Sequence, residues 1–352
     1  MDIPYCEHFG LTEKPFSLTP DPAFYFESRS HKEALDHLGF FLDQQEGFAL
    51  IYGDVGTGKT TLSRIFLKSL DPEIYDSALI LNPIMDEQEF LREVLAEFSI
   101  TISGPLGSTG LDALRVSLLD RHGKGKRSII VVDEAQLIKD ELFEFIRVLS
   151  NFETDKNKML QIVFFAQPEI IGRLQRDSMR YLSQRLTVIY ELNSLEIDEV
   201  GRYVSYRLFK AGSRALPEFS DGAVKIISIA SGGCPRLINI LADRCMLILY
   251  SRSKAVVNRA IARAALRELN IVLLVGRKKR LPKRIYVILS VAALLLLILF
   301  VTIGKVVFLP APIVPELPKQ ETSQRAGPKG SQEHHRHSED DYRPESGGWS
   351  RK

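Results

Sequence analysis

Eight residues constrain this chain more than any others: Gly53-Asp-Val-Gly-Thr-Gly-Lys59-Thr60, which fit G-x-x-x-x-G-K-[ST] at every position. Directly before them stands FALIY (48–52), an apolar run of strand length. Directly after them comes a segment with helical spacing, from about Lys59 to Leu70. A strand, a glycine-rich turn and a helix in that order gather backbone N–H groups at a helix N-terminus, where the peptide dipoles favour an anion. Gly53, Asp54, Val55, Gly56, Thr57, Gly58, Lys59, Thr60 and Thr61 are therefore expected to cradle phosphate groups. Lys59 would reach the β- and γ-phosphates, and Thr60 would offer its hydroxyl to Mg²⁺.

A site of this kind needs an acid at the end of a second buried strand. SIIVVDEAQ supplies Asp133 for the Mg²⁺ shell and Glu134 to polarise an attacking water. The adjacent glutamate and the lack of an N/T-K-x-D base-reading motif point to ATP rather than GTP. Gln167, in FFAQPEI, stands at the end of the next strand, within reach of a γ-phosphate or the water. Arg180 and Arg185, in MRYLSQRL, precede the last strand, where a cation can project into a neighbouring subunit's site. Arg236, in SGGCPRLIN, opens a helix after two glycines and can reach back to the nucleotide.

Strands and helices alternate from FALIY to TVIYEL (187–192), with SALILN, SIIVVD and LQIVFFA between them. Strands apolar on both faces predict a parallel sheet covered by helices on each side. The predicted division is an extended, proline- and aromatic-rich arm at 1–30, an α/β core at 31–192 and a helices-only lid at 193–269. Ser30 is expected to cap the first long helix, starting at His31, with Glu33 completing a partial capping box. A basic linker at 270–284 follows, then an apolar run at 285–304 and a proline-rich tail at 305–352, whose composition cannot bury a core.

Residues 285 to 303 carry no charge and span roughly 28 Å as a helix, which predicts a transmembrane helix. Arg277, Lys278, Lys279, Arg280, Lys283 and Arg284 crowd in front of it. That asymmetry places the body in the cytoplasm and the tail in the periplasm. The polar, proline-interrupted start shows no signal-peptide pattern. A net charge of +2 gives no whole-chain electrostatic case for nucleic acid, which is not expected as a partner. Cys6, Cys234 and Cys245 are too scattered for a disulfide framework or a zinc site, and His334, His335 and His337 read as a solvated run.

Over about residues 1–270 the chain resembles the ExeA-type general secretion pathway protein A ATPases of the AAA+ superfamily. The segments that carry this are HFGLTEKPFSLTPDPAFYF, SHKEAL, GDVGTGKTTL, VVDEAQ, LSNFET, QIVFFAQPEI, QRL and GGCPRLINILADRC. The resemblance implies a P-loop AAA+ sheet with a helical lid, ATP and Mg²⁺ as cofactors, and ATP hydrolysis. It also implies a homo-oligomer, in ring form, and an inner-membrane secretion or export partner, with relatives in pilus biogenesis and polysaccharide export. By the same resemblance Gln167 takes the first sensor role, Arg236 the second, and Arg185 leads Arg180 as the finger supplied in trans. Alternatives from other classes are an ATP-gated scaffold with negligible turnover and a DNA-associated AAA+ regulator.

Overall fold

The computed structural model describes residues 4–102, 106–153, 158–213 and 217–269, all within one compact unit of residues 1–278. In chain order the first elements are α1 (Pro4–His8), α2 (Arg29–Asp43), β1 (Phe48–Tyr52), α3 (Lys59–Ser69), β2 (Tyr75–Ile80) and α4 (Glu87–Glu97). Then come α5 (Gly107–Gly123), β3 (Arg127–Val132), α6 (Asp140–Leu149), β4 (Leu160–Ala166), α7 (Glu169–Leu174), α8 (Arg180–Ser183) and β5 (Leu186–Glu191). The last group is α9 (Ile197–Lys210), β6 (Glu218–Phe219), α10 (Asp221–Ser231), α11 (Pro235–Ser251), β7 (Val256–Val257) and α12 (Arg259–Leu269).

The five long strands form one parallel sheet in the order β2-β3-β4-β1-β5. Side chains alternate across it. Phe48, Leu50, Ile130, Val132, Ile162 and Phe164 pack on one face with Phe90 of α4, Leu114 of α5 and Phe143 of α6. Ala49, Ile51, Ile129, Val131, Val163 and Phe165 pack on the other with Leu38 and Phe41 of α2 and Leu62 and Phe66 of α3. Burial on both faces is why the strands read as unbroken apolar runs. Register then places the chemistry. Tyr52 pairs with Ala166, so Gly53 and Gln167 leave β1 and β4 side by side, and β3 lies on the other side of β4. In an open parallel sheet the crevice beyond these carboxyl ends is where a ligand binds.

A separate core holds the helices after β5, and the N-terminal arm belongs to it. Tyr5, Leu11, Phe16 and Phe24 are buried among Val200, Tyr203, Ile238, Leu241 and Ile261. Polar bonds fasten the same surfaces. Lys14 pairs with Asp243 at 2.9 Å, and the Tyr5 hydroxyl donates to the same carboxylate. The buried Arg207 guanidinium donates to Pro15 O at 2.6 Å, Tyr203 Oη at 3.0 Å and Ser17 O at 3.4 Å. Its plane also lies 4.8 Å from the Phe24 ring centroid, a cation–π contact. Arg207 thus ties α9 to the arm.

Several local expectations need correction. Ser28, not Ser30, caps α2: its extended backbone lets Oγ accept from His31 N, while Ser30 Oγ accepts from Asn193 N at 2.9 Å. Glu33 makes no capping box and instead accepts from the Tyr190 hydroxyl at 2.8 Å. The segment after β5 is not purely helical, since β6 and β7 form a two-stranded parallel pair. The fold-class expectation also included a transmembrane helix, and this part is overturned. Among the described residues no helix is long and apolar enough to cross a membrane. The longest, α5 and α11, have 17 residues, roughly 26 Å against a hydrocarbon thickness of about 30 Å, and α11 carries Arg236, Asp243 and Arg244. The run at 285–304, its linker and the tail lie outside the described residues.

If Arg207 holds the arm, Arg207→Met should lower unfolding stability by roughly 2–3 kcal/mol, the scale of hydrogen bonds to a buried cation. Hydrogen exchange should rise over residues 5–26 and α9 and stay unchanged over β1, β3 and β4. Uniform exchange along the chain would rule this out.

Candidate functional site

The loop from Gly53 to Gly58 leaves β1 and closes over the start of α3. Its glycines are needed because three other elements press against it. A Cβ on Gly53 would lie 2.4 Å from Leu192 O, at the exit of β5. Gly56 has φ +84° and Gly58 φ +105°, conformations that L side chains rarely adopt. A Cβ at Gly56 would meet Arg236 Cβ at 2.7 Å, and one at Gly58 would meet His31 Nε2 at 2.8 Å. The first-turn N–H groups of α3 have no acceptor within their own helix, as at any helix start.

Lys59 is buried, and its Nζ donates to Gly53 O at 2.7 Å and Asp54 O at 3.0 Å. Burial pushes its ammonium group's pKa down, opposed by the charges of Glu134, Asp133, Asp54 and Glu169. Asp133, at the end of β3, is 2% exposed. Burial pushes its carboxyl up, against hydrogen bonds from the Thr60 hydroxyl and, at 2.9 Å, from Glu134 N. A buried carboxylate beside a hydroxyl is a hard oxygen donor pair of the kind Mg²⁺ takes, so Thr60 and Asp133 fit that ion. Among the described residues no group of three or more His, Cys, Asp or Glu side chains could hold a metal by itself.

Glu134 follows with φ +51°, a strained conformation for a residue with a side chain, costing roughly 1–2 kcal/mol. Its Oε2 accepts from Gln167 Nε2 at 3.0 Å and from Gln136 Nε2. Arg236 opens α11, its backbone N–H donating to Gly56 O at 3.3 Å, while Cys234 Sγ lies 3.5 Å from Val55 O. A cavity of about 230 Å³ joins these parts. The loop, Glu134 and Gln167 form its floor, Ser17–Asp21 and Phe24–Phe26 of the arm one wall, and Tyr203, Arg207, Arg236 and Asn239 the other.

The structure thus brings together Lys59, Thr60, Asp133, Glu134, Gln167 and Arg236. It does not bring Arg185 there: that side chain sits at the amino end of β5 and donates to Ser150 Oγ at 3.0 Å and Asn151 Oδ1 at 2.8 Å. Arg180 is exposed and does not line the cavity. Sequence reasoning missed Gln136, although it stands inside the quoted VVDEAQ, two residues beyond the acid. It also missed His31, whose Nε2 packs against Gly58 of the loop while Nδ1 lies 2.7 Å from Ser28 Oγ. No spacing rule links the start of α2 to the loop.

Fold and site together define a P-loop nucleotide-binding protein of the AAA class, and residues 42–174 match the AAA domain family. The chain is 41% identical over 263 residues to General secretion pathway protein A of Aeromonas hydrophila, covering 74% of this chain and 48% of that protein. It therefore spans about half the length of that curated relative. In fold it is similar to the Aeropyrum pernix ORC2 protein, with a TM-score of 0.56 and 16% identity over 73% of this chain and 71% of that one. Cdc6p from Pyrobaculum aerophilum gives 0.55 and 14%, over 72% and 70%. The chain belongs to the AAA ATPase family, and within it to the general secretion pathway protein A type.

His31 offers a test of the loop's support. Burial pushes its pKa down from 6.5 to about 4, so the folded protein keeps the ring neutral where the unfolded chain protonates it. Between those values the unfolded state binds the extra proton. The ring's contribution is therefore full above about pH 6.5 and declines toward pH 4, by roughly 1.4 kcal/mol per unit. Denaturation at pH 7, 5.5 and 4.5 should show this decline in the wild type and a shallower one in His31→Gln. Parallel curves would refute it.

Proposed function

We propose that this chain binds ATP with Mg²⁺ and hydrolyses it. One observation carries the reading: a lysine, a hydroxyl, a carboxylate, an amide and an arginine line a single cavity behind a glycine loop, with the buried Asp133 carboxylate beside that hydroxyl. Lys59 would leave its loop carbonyls for the β- and γ-phosphates. Thr60 and Asp133 would hold Mg²⁺, which supplies charge neutralisation on the phosphates. Glu134 accepts the proton of the attacking water, Gln167 contacts the γ-phosphate or that water, and Arg236 reports nucleotide state to the lid. Phe24 and Tyr25 on one wall and Tyr203 on the other offer a flat base apolar surface, and no guanine-reading motif is present.

In this reading the arm (1–30), the core (31–192) and the lid (193–269) act as one nucleotide-dependent module. Arg185, or Arg180 beside it, would complete a neighbouring copy's site, which calls for a homo-oligomer, in ring form. Similarity to General secretion pathway protein A supports a role at the cell envelope, assembling or driving a secretion or export complex together with a partner protein.

Lys59→Ala should abolish nucleotide binding. Glu134→Gln should bind ATP normally and turn it over roughly a hundredfold or more slowly, the usual scale for loss of a general base. Equilibrium binding and steady-state phosphate release check both, and normal turnover by Glu134→Gln protein would defeat the assignment.

A further inference from the structure

Beside the proposed base lies a side chain whose position no motif explains. Gln136 sits in the tight 3₁₀ turn Ala135–Leu137 that follows Glu134. Its Oε1 accepts the backbone N–H of Gln167 at 2.9 Å. A backbone N–H can only donate, so that contact fixes which end of the amide is oxygen and turns Nε2 toward Glu134. Nε2 then donates to Glu134 Oε2, the same oxygen that Gln167 Nε2 reaches at 3.0 Å. The turn itself is held from outside, since Arg173 Nη1 donates to Gln136 O at 2.8 Å and its Nη2 pairs with Asp140. Among the described residues Glu134 Oε1 has no hydrogen-bond partner, and Glu134 lines the cavity.

From this geometry we infer that Gln136 is a positioning residue for the hydrolytic reaction, clipping one oxygen of Glu134 to the end of β4 so that the other faces the cavity as the proton acceptor. The inference rests on the proposed ATPase reading and deepens it. Glu134 needs such a clip. It stands on a left-handed backbone outside any strand or helix, and a side chain with three rotatable bonds does not keep one orientation unaided. Two neutral amide donors orient the carboxylate without placing a cation beside it. Because Gln136 bridges Glu134 and the Gln167 backbone, a shift of Gln167 toward a phosphate is transmitted to the base.

Two variants separate this role from mere packing. Gln136→Met keeps the volume and removes both hydrogen bonds. Gln136→Glu keeps the acceptor for Gln167 N and replaces the donor facing Glu134 with a second carboxylate oxygen. Both should lower kcat roughly ten- to hundredfold, the worth of one hydrogen bond to a charged group. KM and the affinity for a non-hydrolysable ATP analogue should stay within about twofold. In a Glu134→Gln background Gln136→Met should change the residual rate by less than about threefold, because the two residues act as one unit. The inference is overturned if kcat stays within about twofold in both single variants, if the loss lies in affinity, or if the full loss persists in that background. Should the wild-type protein show no turnover, the ATPase reading falls by itself. Crystal structures of wild type and Gln136→Met with the analogue then decide the clip. It stands if the Glu134 carboxylate leaves Gln167 Nε2 in the variant, and it fails if the carboxylate stays.

Discussion

Backbone crowding at the phosphate loop governs everything else in this molecule. Leu192 O, Arg236 and His31 each approach the loop so closely that a single added Cβ at Gly53, Gly56 or Gly58 would overlap one of them. The glycines therefore do two jobs. They permit the positive φ values that turn N–H groups inward, and they let β5, α11 and α2 pack directly on the loop. At those three glycines the loop cannot shift without moving its neighbours, although Asp54 and Val55 between them are exposed. Displacement of the loop at these glycines is thereby linked mechanically to the sheet exit, the start of α11 and the start of α2.

The arm extends that linkage. Residues 5–24 share a core with α9 and α11, yet they run into α2, whose first turn carries His31 against the loop. Arg207 anchors the arm to α9, and Arg236 N bonds Gly56 O from the far end of the lid. The helices after β5 thus hold the loop twice, once directly and once through the arm.

Much of this was legible in the sequence, and the limits have physical causes. Gly56, Gly58, Lys59 and Thr60 could be read because phosphate-binding backbone chemistry dictates both residue type and spacing. Asp133 and Gln167 could be read because polar residues ending apolar strands fall at the same edge of a parallel sheet. Ser28 and Ser30 could not be ranked as caps, since both precede the helical pattern and only tertiary contact with Asn193 occupies Ser30. The arm's place in the lid core was hidden too, because Arg207 meets Pro15 across a separation of 192 residues. The pairing of β6 with β7 is too short to leave any periodicity.

The polar floor of the cavity sets the energetic terms on which a phosphate is accepted. Lys59 has two carbonyl partners, Asp133 has the Thr60 hydroxyl and Glu134 N, and Glu134 Oε2 has two amides. Apart from Glu134 Oε1, none of these groups is left unpaired in the fold, so a ligand gains only the difference between old and new hydrogen bonds, about 1 kcal/mol each rather than the full strength of an isolated bond. Affinity must then come from the charge of the phosphates against Lys59 and the α3 dipole, and from apolar contact with the arm and lid. Discrimination follows from the same balance. In the proposed reading a diphosphate would satisfy the loop and Lys59, and only a third phosphate would have reason to draw Gln167 from Glu134. In the proposed ATPase reading, the carboxylate and its two amides would then be the part of the site that tells one nucleotide state from another.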